Sequence, residues 1–184
     1  MLIFFNFTEF YSGRSDLSFT VRVSRLRPRR MDMIVVATKD DAALLLEIYN
    51  DSNKVFGAPE QDILDEFTKI LETHFVYLLQ ENGETIGFIA IEEKPDHFLI
   101  SALYIKKDLQ HKGFGKMLLD FIENLVNEKK GKVILLKSIQ MFDMVTNFYI
   151  KCGYKIITTA DEISEAKTYL PVEPWEYLFG KVFS

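Results

Sequence analysis

The sequence contains little cysteine, little histidine and no long hydrophobic run. Its single cysteine excludes an internal disulfide bond. The three histidines, at positions 74, 97 and 111, lie too far apart to form a metal-ligating cluster with it, so no metal ion is expected. No apolar stretch approaches the roughly 18 residues that a membrane span requires. We therefore expect a cytoplasmic protein with no membrane segment.

Negative charge exceeds positive charge outside the first thirty residues. The net charge is −5, yet residues 1–30 contain six arginines against Glu9 and Asp16, which leaves −9 for the remainder. Nucleic-acid binding needs a basic face, so a nucleic-acid partner is not expected unless those thirty residues supply it. Met31 and Met33 precede the first clear strand, which predicts that residues 1–30 are an extension, poorly ordered or not part of the native start. The alternating "FTVRV" within it would alternatively add a strand.

What remains reads as one α/β domain over residues 31–184. Short β-rich runs and amphipathic segments follow one another in the order β-α-α-β-β-β-α-β-α-β-β. Turn signals separate the strands, among them Asn82-Gly83 and Pro95-Asp96. Pro59 predicts the first position of the second helix, and Gly131 predicts the end of the third. "FLISALYI" (98–105) is the third of three consecutive antiparallel strands.

Two glycines connect that strand to the third helix in the stretch "QHKGFG", residues 110–115. A helix that begins after a glycine turn presents free backbone N–H groups and the positive end of its dipole, which together bind anions. Lys112 and Lys116 add positive charge, so a diphosphate suits the turn. A dinucleotide motif is excluded because position 118 is leucine, and no Walker motif is present. A purely structural turn is the alternative.

A second motif lies about 28 residues beyond Gly115, in the stretch "DMVTNFYIKCGYK". The pair Q-x-x-G-x-G and F-Y-x-K-x-G-Y resembles the GNAT superfamily, the acyl-CoA-dependent N-acyltransferases, and the resemblance covers residues 33–183. It implies a mixed, mostly antiparallel central sheet flanked by helices and splayed between its fourth and fifth strands. It also implies that the anion at the glycine turn is the pyrophosphate of coenzyme A.

The resemblance further implies an N-acetyltransferase that moves an acetyl group from acetyl-CoA to a small-molecule or peptide amine by direct transfer in a ternary complex. Tyr149 would act as general acid toward the departing thiolate. The implied cofactor-binding residues are Leu103, Tyr104, Ile105, Gln110, His111, Lys112, Gly113, Phe114, Gly115 and Lys116. Tyr149 would alternatively only pack in the core. A homodimer is left open.

The chain departs from the family at the place of a glutamate base, which is occupied by Leu99. A base is useful because an alkyl amine of pKa near 10.4 is mostly protonated at pH 7, a handicap of about 4.6 kcal/mol. Glu92 or Glu93 is the candidate replacement, since strand alternation points one of them inward. His97, Ser101 and an ordered water chain are weaker candidates.

Three further positions carry weaker expectations. Phe142 stands where the family often has asparagine, Cys152 is expected to pack rather than to react, and Trp175 with the loops 54–62 and 160–174 would border the acceptor. Because the glutamate is absent, the alternative function is a non-catalytic acyl-CoA-binding or regulatory domain.

Overall fold

The computed structural model describes residues 33–140, 142–157 and 172–183. The predictions for residues 1–30 and for most of the loop 160–174 lie outside these residues. The single domain predicted over 31–184 stays a prediction.

The order of elements agrees with the predicted order. The strands are β1 Met33–Val36, β2 Phe75–Glu81, β3 Glu84–Glu93, β4 Phe98–Ile105, β5 Val133–Ile139, β6 Lys155–Ile156 and β7 Glu176–Val182. The helices are α1 Ala42–Asn53, α2 Leu64–Thr73, α3 Phe114–Glu128 and α4 Asp143–Lys151, with 3-10 helices at Lys39–Asp41, Lys54–Phe56 and Lys107–Leu109. None of the helices in the described residues could cross a membrane.

The seven strands form one sheet in the order β1-β2-β3-β4-β5-β7-β6. The pairs β1–β2, β5–β7 and β6–β7 are antiparallel, whereas β4 and β5 run parallel because α3 connects them by a crossover. The predicted mixed, mostly antiparallel sheet is therefore confirmed.

The chain divides into two compact units. The first contains the described residues up to Phe88 together with Tyr104–Lys112, and the second contains Ile89–Leu103 and the described residues from Gly113 onward. The boundary falls inside β3, inside β4 and inside the glycine turn.

In the first unit, α2 begins five residues later than Pro59 predicts. The side chain of Asn50 explains this difference, because its Oδ1 accepts the Gln61 N–H at 2.9 Å and its Nδ2 donates to the Gln61 carbonyl at 2.9 Å. These bonds hold the backbone at Gln61 outside the helix, and the helix then begins at Leu64.

In the second unit, α3 ends one residue earlier than Gly131 predicts. Lys130 adopts the left-handed conformation (φ 57°), and the Gly131 N–H donates to the Val126 carbonyl at 2.8 Å. Gly131 is glycine for a packing reason, because an added Cβ would lie 2.5 Å from the ring of Phe98.

Candidate active site

The parallel ladder between β4 and β5 is short. It pairs Phe98 with Ile134 and ends at Ile100 and Leu136, although β4 continues to Ile105 and β5 to Ile139. On its other edge β5 remains paired with β7 as far as Ile139. The parallel pairing in the described residues of the second unit thus involves only the first part of each strand, which agrees with the predicted splay. In the second unit Leu103 lies on β4 beyond this pairing, where its backbone could pair with an extended ligand as an added strand would.

The first unit contributes the entrance to the glycine turn. Gln110 donates from Nε2 to the Ser52 carbonyl (3.3 Å), to Ser52 Oγ (3.1 Å) and to the Ile105 carbonyl (3.1 Å). The Lys107 N–H donates to Asp51 Oδ2 at 2.8 Å. The amide nitrogen of Gln110 is thus committed to protein groups, so this side chain fixes the start of the turn to the end of α1.

The second unit contributes the start of α3. Gly113 is the N-cap residue with φ 94°, a conformation that suits glycine, and an added Cβ there would meet nothing within 4 Å. The first helical hydrogen bond of α3 is donated by the Met117 N–H to the Gly113 carbonyl at 3.0 Å. In the described part of the chain, no backbone N–H from His111 to Lys116 donates to a protein group. The condition for an anion-binding turn, N–H groups not used by the protein, is therefore met.

The two lysines of the turn differ in their surroundings. Lys112 is exposed. Lys116 is also exposed, but its Nζ lies 2.6 Å from Asp120 Oδ1, one turn along α3. This hydrogen bond raises the pKa of Lys116. A phosphate that approached Lys116 would therefore compete with a carboxylate that already neutralises part of its charge.

Tyr149 lies in the second unit on α4 and is buried. Its ring packs against Phe148, Phe179 and Tyr154, with ring centroids 5.1, 5.5 and 5.9 Å away. Burial, and to a smaller extent the neighbouring Cys152, raise the pKa of its phenol well above the usual value of about 10. The phenol therefore keeps its proton at neutral pH, as the predicted general acid would require.

The two candidate bases, Glu92 and Glu93, are the last residues of β3, before the turn that leads to β4. Glu92 Oε1 is 2.6 Å from Lys94 Nζ, and Glu93 forms an ion pair with Lys129. The side chain of Glu92 is 26% exposed and that of Glu93 is 42% exposed, so Glu92 is the more buried of the two. Each carboxylate would have to leave a lysine to accept a proton from an amine.

Leu99 and His97 precede the open part of β4. Leu99 packs against Leu135, Ile157 and Leu178, which makes its surroundings apolar. His97 is buried and its Nδ1 lies 2.6 Å from Asp96 Oδ1, while Nε2 has no partner in the described residues. Ser101 is also buried. The place of the family glutamate is therefore an apolar contact.

The remaining predicted positions are Phe142, Cys152 and Trp175. Phe142 is the residue before α4 and Asn147 is exposed on that helix, so neither restores the family asparagine. Cys152 is half-buried, and burial raises the pKa of its thiol, which agrees with packing rather than reactivity. Trp175 is 59% exposed and is not a core residue.

A cavity of about 500 Å³ lies in the first unit, and no sequence motif indicated it. It is bordered by Glu47, Asn50, Asp51, Lys54, Glu60, Glu84, Lys106, Asp108 and Leu109. Lys106 lies 2.9 Å from Glu84 and Lys54 lies 3.5 Å from Glu60, so both lysines are neutralised by carboxylates. Five carboxylates against two lysines leave the wall acidic.

Comparisons with known proteins agree with the fold and the motifs. A family model described as the acetyltransferase (GNAT) domain matches residues 72–156. An uncharacterised N-acetyltransferase in the pepI 3′ region of Lactobacillus delbrueckii subsp. lactis is 30% identical over 87 residues, which are 43% of this chain and 50% of that protein. The match thus spans about half the length of this relative.

Solved structures share the fold at low identity. The PaiA N-acetyltransferase of Thermoplasma acidophilum, in complex with coenzyme A, matches with a TM-score of 0.66 and 18% identity over 83% of this chain and 99% of its own. The ribosomal-protein-S18-alanine N-acetyltransferase of Escherichia coli matches with a TM-score of 0.66 and 16% identity over 84% and 95%. A GNAT acetyltransferase of Staphylococcus aureus gives a TM-score of 0.68 with 17% identity over 83% and 99%.

The fold and the family match agree with the resemblance seen in the sequence. The protein has the fold of the GNAT acetyltransferases, and residues 72–156 match their domain. The resemblance predicted from the two sequence motifs is therefore confirmed.

Proposed function

We propose that this protein is an N-acetyltransferase that moves an acetyl group from acetyl-CoA to a primary amine by direct transfer in a ternary complex. The observation that carries the proposal is the run of backbone N–H groups from His111 to Lys116 that bond to no protein group in the described residues. The family match and the fold support the same activity.

Binding of the acetyl donor would use two features. The free N–H groups, the α3 dipole and the exposed Lys112 would hold the pyrophosphate of coenzyme A. The backbone of Leu103, with Tyr104 and Ile105 after it, would pair with the extended pantetheine arm along the edge of β4. Gln110 would position the glycine turn and would not contact the cofactor through its amide nitrogen, which already donates to Ser52 and Ile105.

The chemistry requires one bond to form and one to break. The amine nitrogen attacks the thioester carbonyl, the C–N bond forms and the C–S bond breaks. A backbone N–H near Leu103 would polarise the carbonyl oxygen, and Tyr149 would give its proton to the departing sulfur. The amine loses a proton to a base, for which Glu92, as the more buried of the two carboxylates, is the better candidate.

Two measurements test the proposal. Calorimetry should detect coenzyme A binding, and thiol should be released from acetyl-CoA in the presence of at least some members of a panel of primary amines. Initial rates should give the intersecting pattern of a ternary complex, not the parallel pattern of a covalent acyl-enzyme at Cys152. Tyr177→Phe removes a phenol from β7 and is the matched control for Tyr149→Phe.

A non-catalytic acyl-CoA-binding domain is the second candidate. It is favoured by one observation, the packing of Leu99 where the family has a carboxylate. This alternative is correct if coenzyme A binds, no amine releases thiol, and Tyr149→Phe changes nothing. The cytoplasmic location and the amine acceptor, whether a small molecule or a peptide, belong to the proposal as well.

A further inference from the structure

Lys181 on β7 is a half-buried lysine whose ammonium group joins three elements of the second unit. Its Nζ donates to Glu123 Oε2 on α3 at 2.7 Å and to the carbonyl of Cys152, the C-cap residue of α4, at 2.9 Å. The side chains of Lys181 and Glu123 are 25% and 15% exposed. An ion pair that is largely withdrawn from water is costly to break, because the remaining charge is left without a partner. Lys181 therefore links β7, α3 and α4 through bonds that solvent does not readily replace.

The contacts of Lys181 lie at the end of α4. The last carbonyl groups of a helix have no partner within it, and a lysine side chain can satisfy them. Lys181 does this for Cys152, and it also lies against the two residues that follow. An added Cβ at Gly153 would lie 3.5 Å from Lys181 Nζ, which is 5.4 Å from the centre of the Tyr154 ring. The ammonium group thus fixes the place where the chain leaves α4.

The residues that Lys181 contacts are also the residues that hold Tyr149. The N–H groups of Cys152 and Tyr154 both donate to the Tyr149 carbonyl, at 3.1 Å each. The ring of Tyr154 packs against the ring of Tyr149, with their centroids 5.9 Å apart. Phe179, on the same strand as Lys181, packs against Tyr149 at 5.5 Å. The backbone and the ring of Tyr149 therefore both depend on the surroundings of Lys181.

We propose that Lys181 is a positioning residue for the acid: by linking the end of α4 to α3 and β7, it holds the phenol of Tyr149 where the departing sulfur takes its proton. The inference rests on the proposed function and adds a residue that stays outside the bond changes. Tyr149 gives its proton to the sulfur, whereas Lys181 keeps its own protons. A misplacement of about 1 Å can lower a rate about 100-fold, so bonds at Cys152, one helical turn beyond Tyr149, can affect the reaction. Because α3 begins at the glycine turn, Lys181 also connects the helix of the proposed pyrophosphate site with the helix of the proposed acid.

The test is a double-mutant cycle with Lys181→Met, which keeps an apolar stem and loses the ammonium group. With acetyl-CoA and the amine that reacts fastest, Lys181→Met should lower kcat about 10- to 100-fold when Tyr149 is present. In Tyr149→Phe the same change should lower kcat by less than about twofold, because the acid that Lys181 positions is already absent. The dissociation constant of coenzyme A should stay within about twofold. The matched control is Lys137→Met, which breaks the pair of Lys137 with Glu176 (3.1 Å, side chains 17% and 10% exposed) and should change kcat equally in both backgrounds.

A second variant separates position from stability. Lys181→Met leaves the carboxylate of Glu123 without its lysine, so the melting temperature should fall. Adding Glu123→Gln removes that charge and should raise the melting temperature again. The kcat of the double variant should stay low, because the Cys152 carbonyl still lacks the lysine. If kcat recovers together with the melting temperature, Lys181 serves stability alone and the inference is overturned.

Two further results would overturn the inference: an equal fall of kcat in both backgrounds of the cycle, or a loss of coenzyme A affinity large enough to account for the lower rate. If the unaltered protein acetylates no amine, the transfer activity is refuted, and the position of Tyr149 is then measured directly. In protein with ¹³C-labelled tyrosine, the Tyr149 resonance is the one that Tyr149→Phe removes. It should move in Lys181→Met and stay in place in Lys137→Met. An unmoved resonance would show that Lys181 does not position Tyr149, and the same spectra decide the matter if Tyr149→Phe is too slow to assay.

Discussion

Replacing Gly113 by alanine tests the glycine turn with little steric disturbance. An added Cβ would meet no atom within 4 Å, so the only direct cost is the backbone conformation at φ 94°. Holding a non-glycine residue in the left-handed region costs about 1–2 kcal/mol. For a domain of this size that corresponds to a fall in melting temperature of about 2–8 °C.

In the Gly113→Ala variant, the affinity for coenzyme A should fall by more than the backbone strain alone explains. If alanine relaxes toward negative φ, the N–H groups at the start of α3 turn away from the bound pyrophosphate. A hydrogen bond to a charged group contributes about 1.5–3 kcal/mol, so losing one such bond raises the dissociation constant about 10- to 150-fold. Calorimetry with coenzyme A measures this constant, and thermal unfolding without ligand measures the strain.

Gly83→Ala is the matched control for this experiment. Gly83 lies in the β2–β3 turn with φ 84°, and an added Cβ would again meet nothing within 4 Å. The Gly83→Ala variant should lose about as much stability as Gly113→Ala and should keep its affinity for coenzyme A. If Gly113→Ala binds coenzyme A as tightly as Gly83→Ala does, the turn does not bind the pyrophosphate and the reasoning is refuted.

Four further predictions concern single residues. Tyr149→Phe should lower kcat and leave the dissociation constant of coenzyme A unchanged; an unchanged kcat would exclude the general acid. Folding raises the pKa of the Tyr149 phenol, so the protonated phenol stabilises the folded protein below pH 10. Above pH 10 this stabilisation is lost, and the free energy of unfolding falls by up to about 1.4 kcal/mol per pH unit. Urea unfolding from pH 9 to 11 should show a smaller loss in Tyr149→Phe, and an equal loss would contradict the burial of the phenol. Leu99→Glu should cost about 2–3 kcal/mol because it places a charge among apolar side chains, whereas unaltered stability would mean that this position can accept a carboxylate. Gly87→Ala should cost about 1–3 kcal/mol, since the added Cβ would lie 2.7 Å from the Tyr104 carbonyl; a neutral effect would show that the end of β4 can move.

The sequence predicted well those features that depend on local chemistry. Asn82-Gly83 forms the expected hairpin turn because both residues adopt positive φ, 54° and 84°. The glycine turn is followed by α3 because glycine at position 113 tolerates the conformation of that N-cap residue. In each case a short stretch contains the whole physical reason for its structure.

Features that depend on distant partners could not be predicted in this way. The start of α2 is set by Asn50, eleven residues before Gln61 in the sequence, and no local pattern reveals that pair. Ion pairing of Glu93 with Lys129 joins residues 36 positions apart.

The absent glutamate bears on the kind of acceptor that the proposed transfer would use. An alkyl amine of pKa near 10.4 must give up a proton at a cost of about 4.6 kcal/mol at pH 7, which is a strong reason for an enzyme to supply a base. An α-amino group has a pKa of about 7.7–8.0, so the corresponding cost is only about 1–1.4 kcal/mol. Leu99 supplies no base, and Glu92 is held by Lys94, so the proposed transfer would favour an acceptor that is already partly unprotonated.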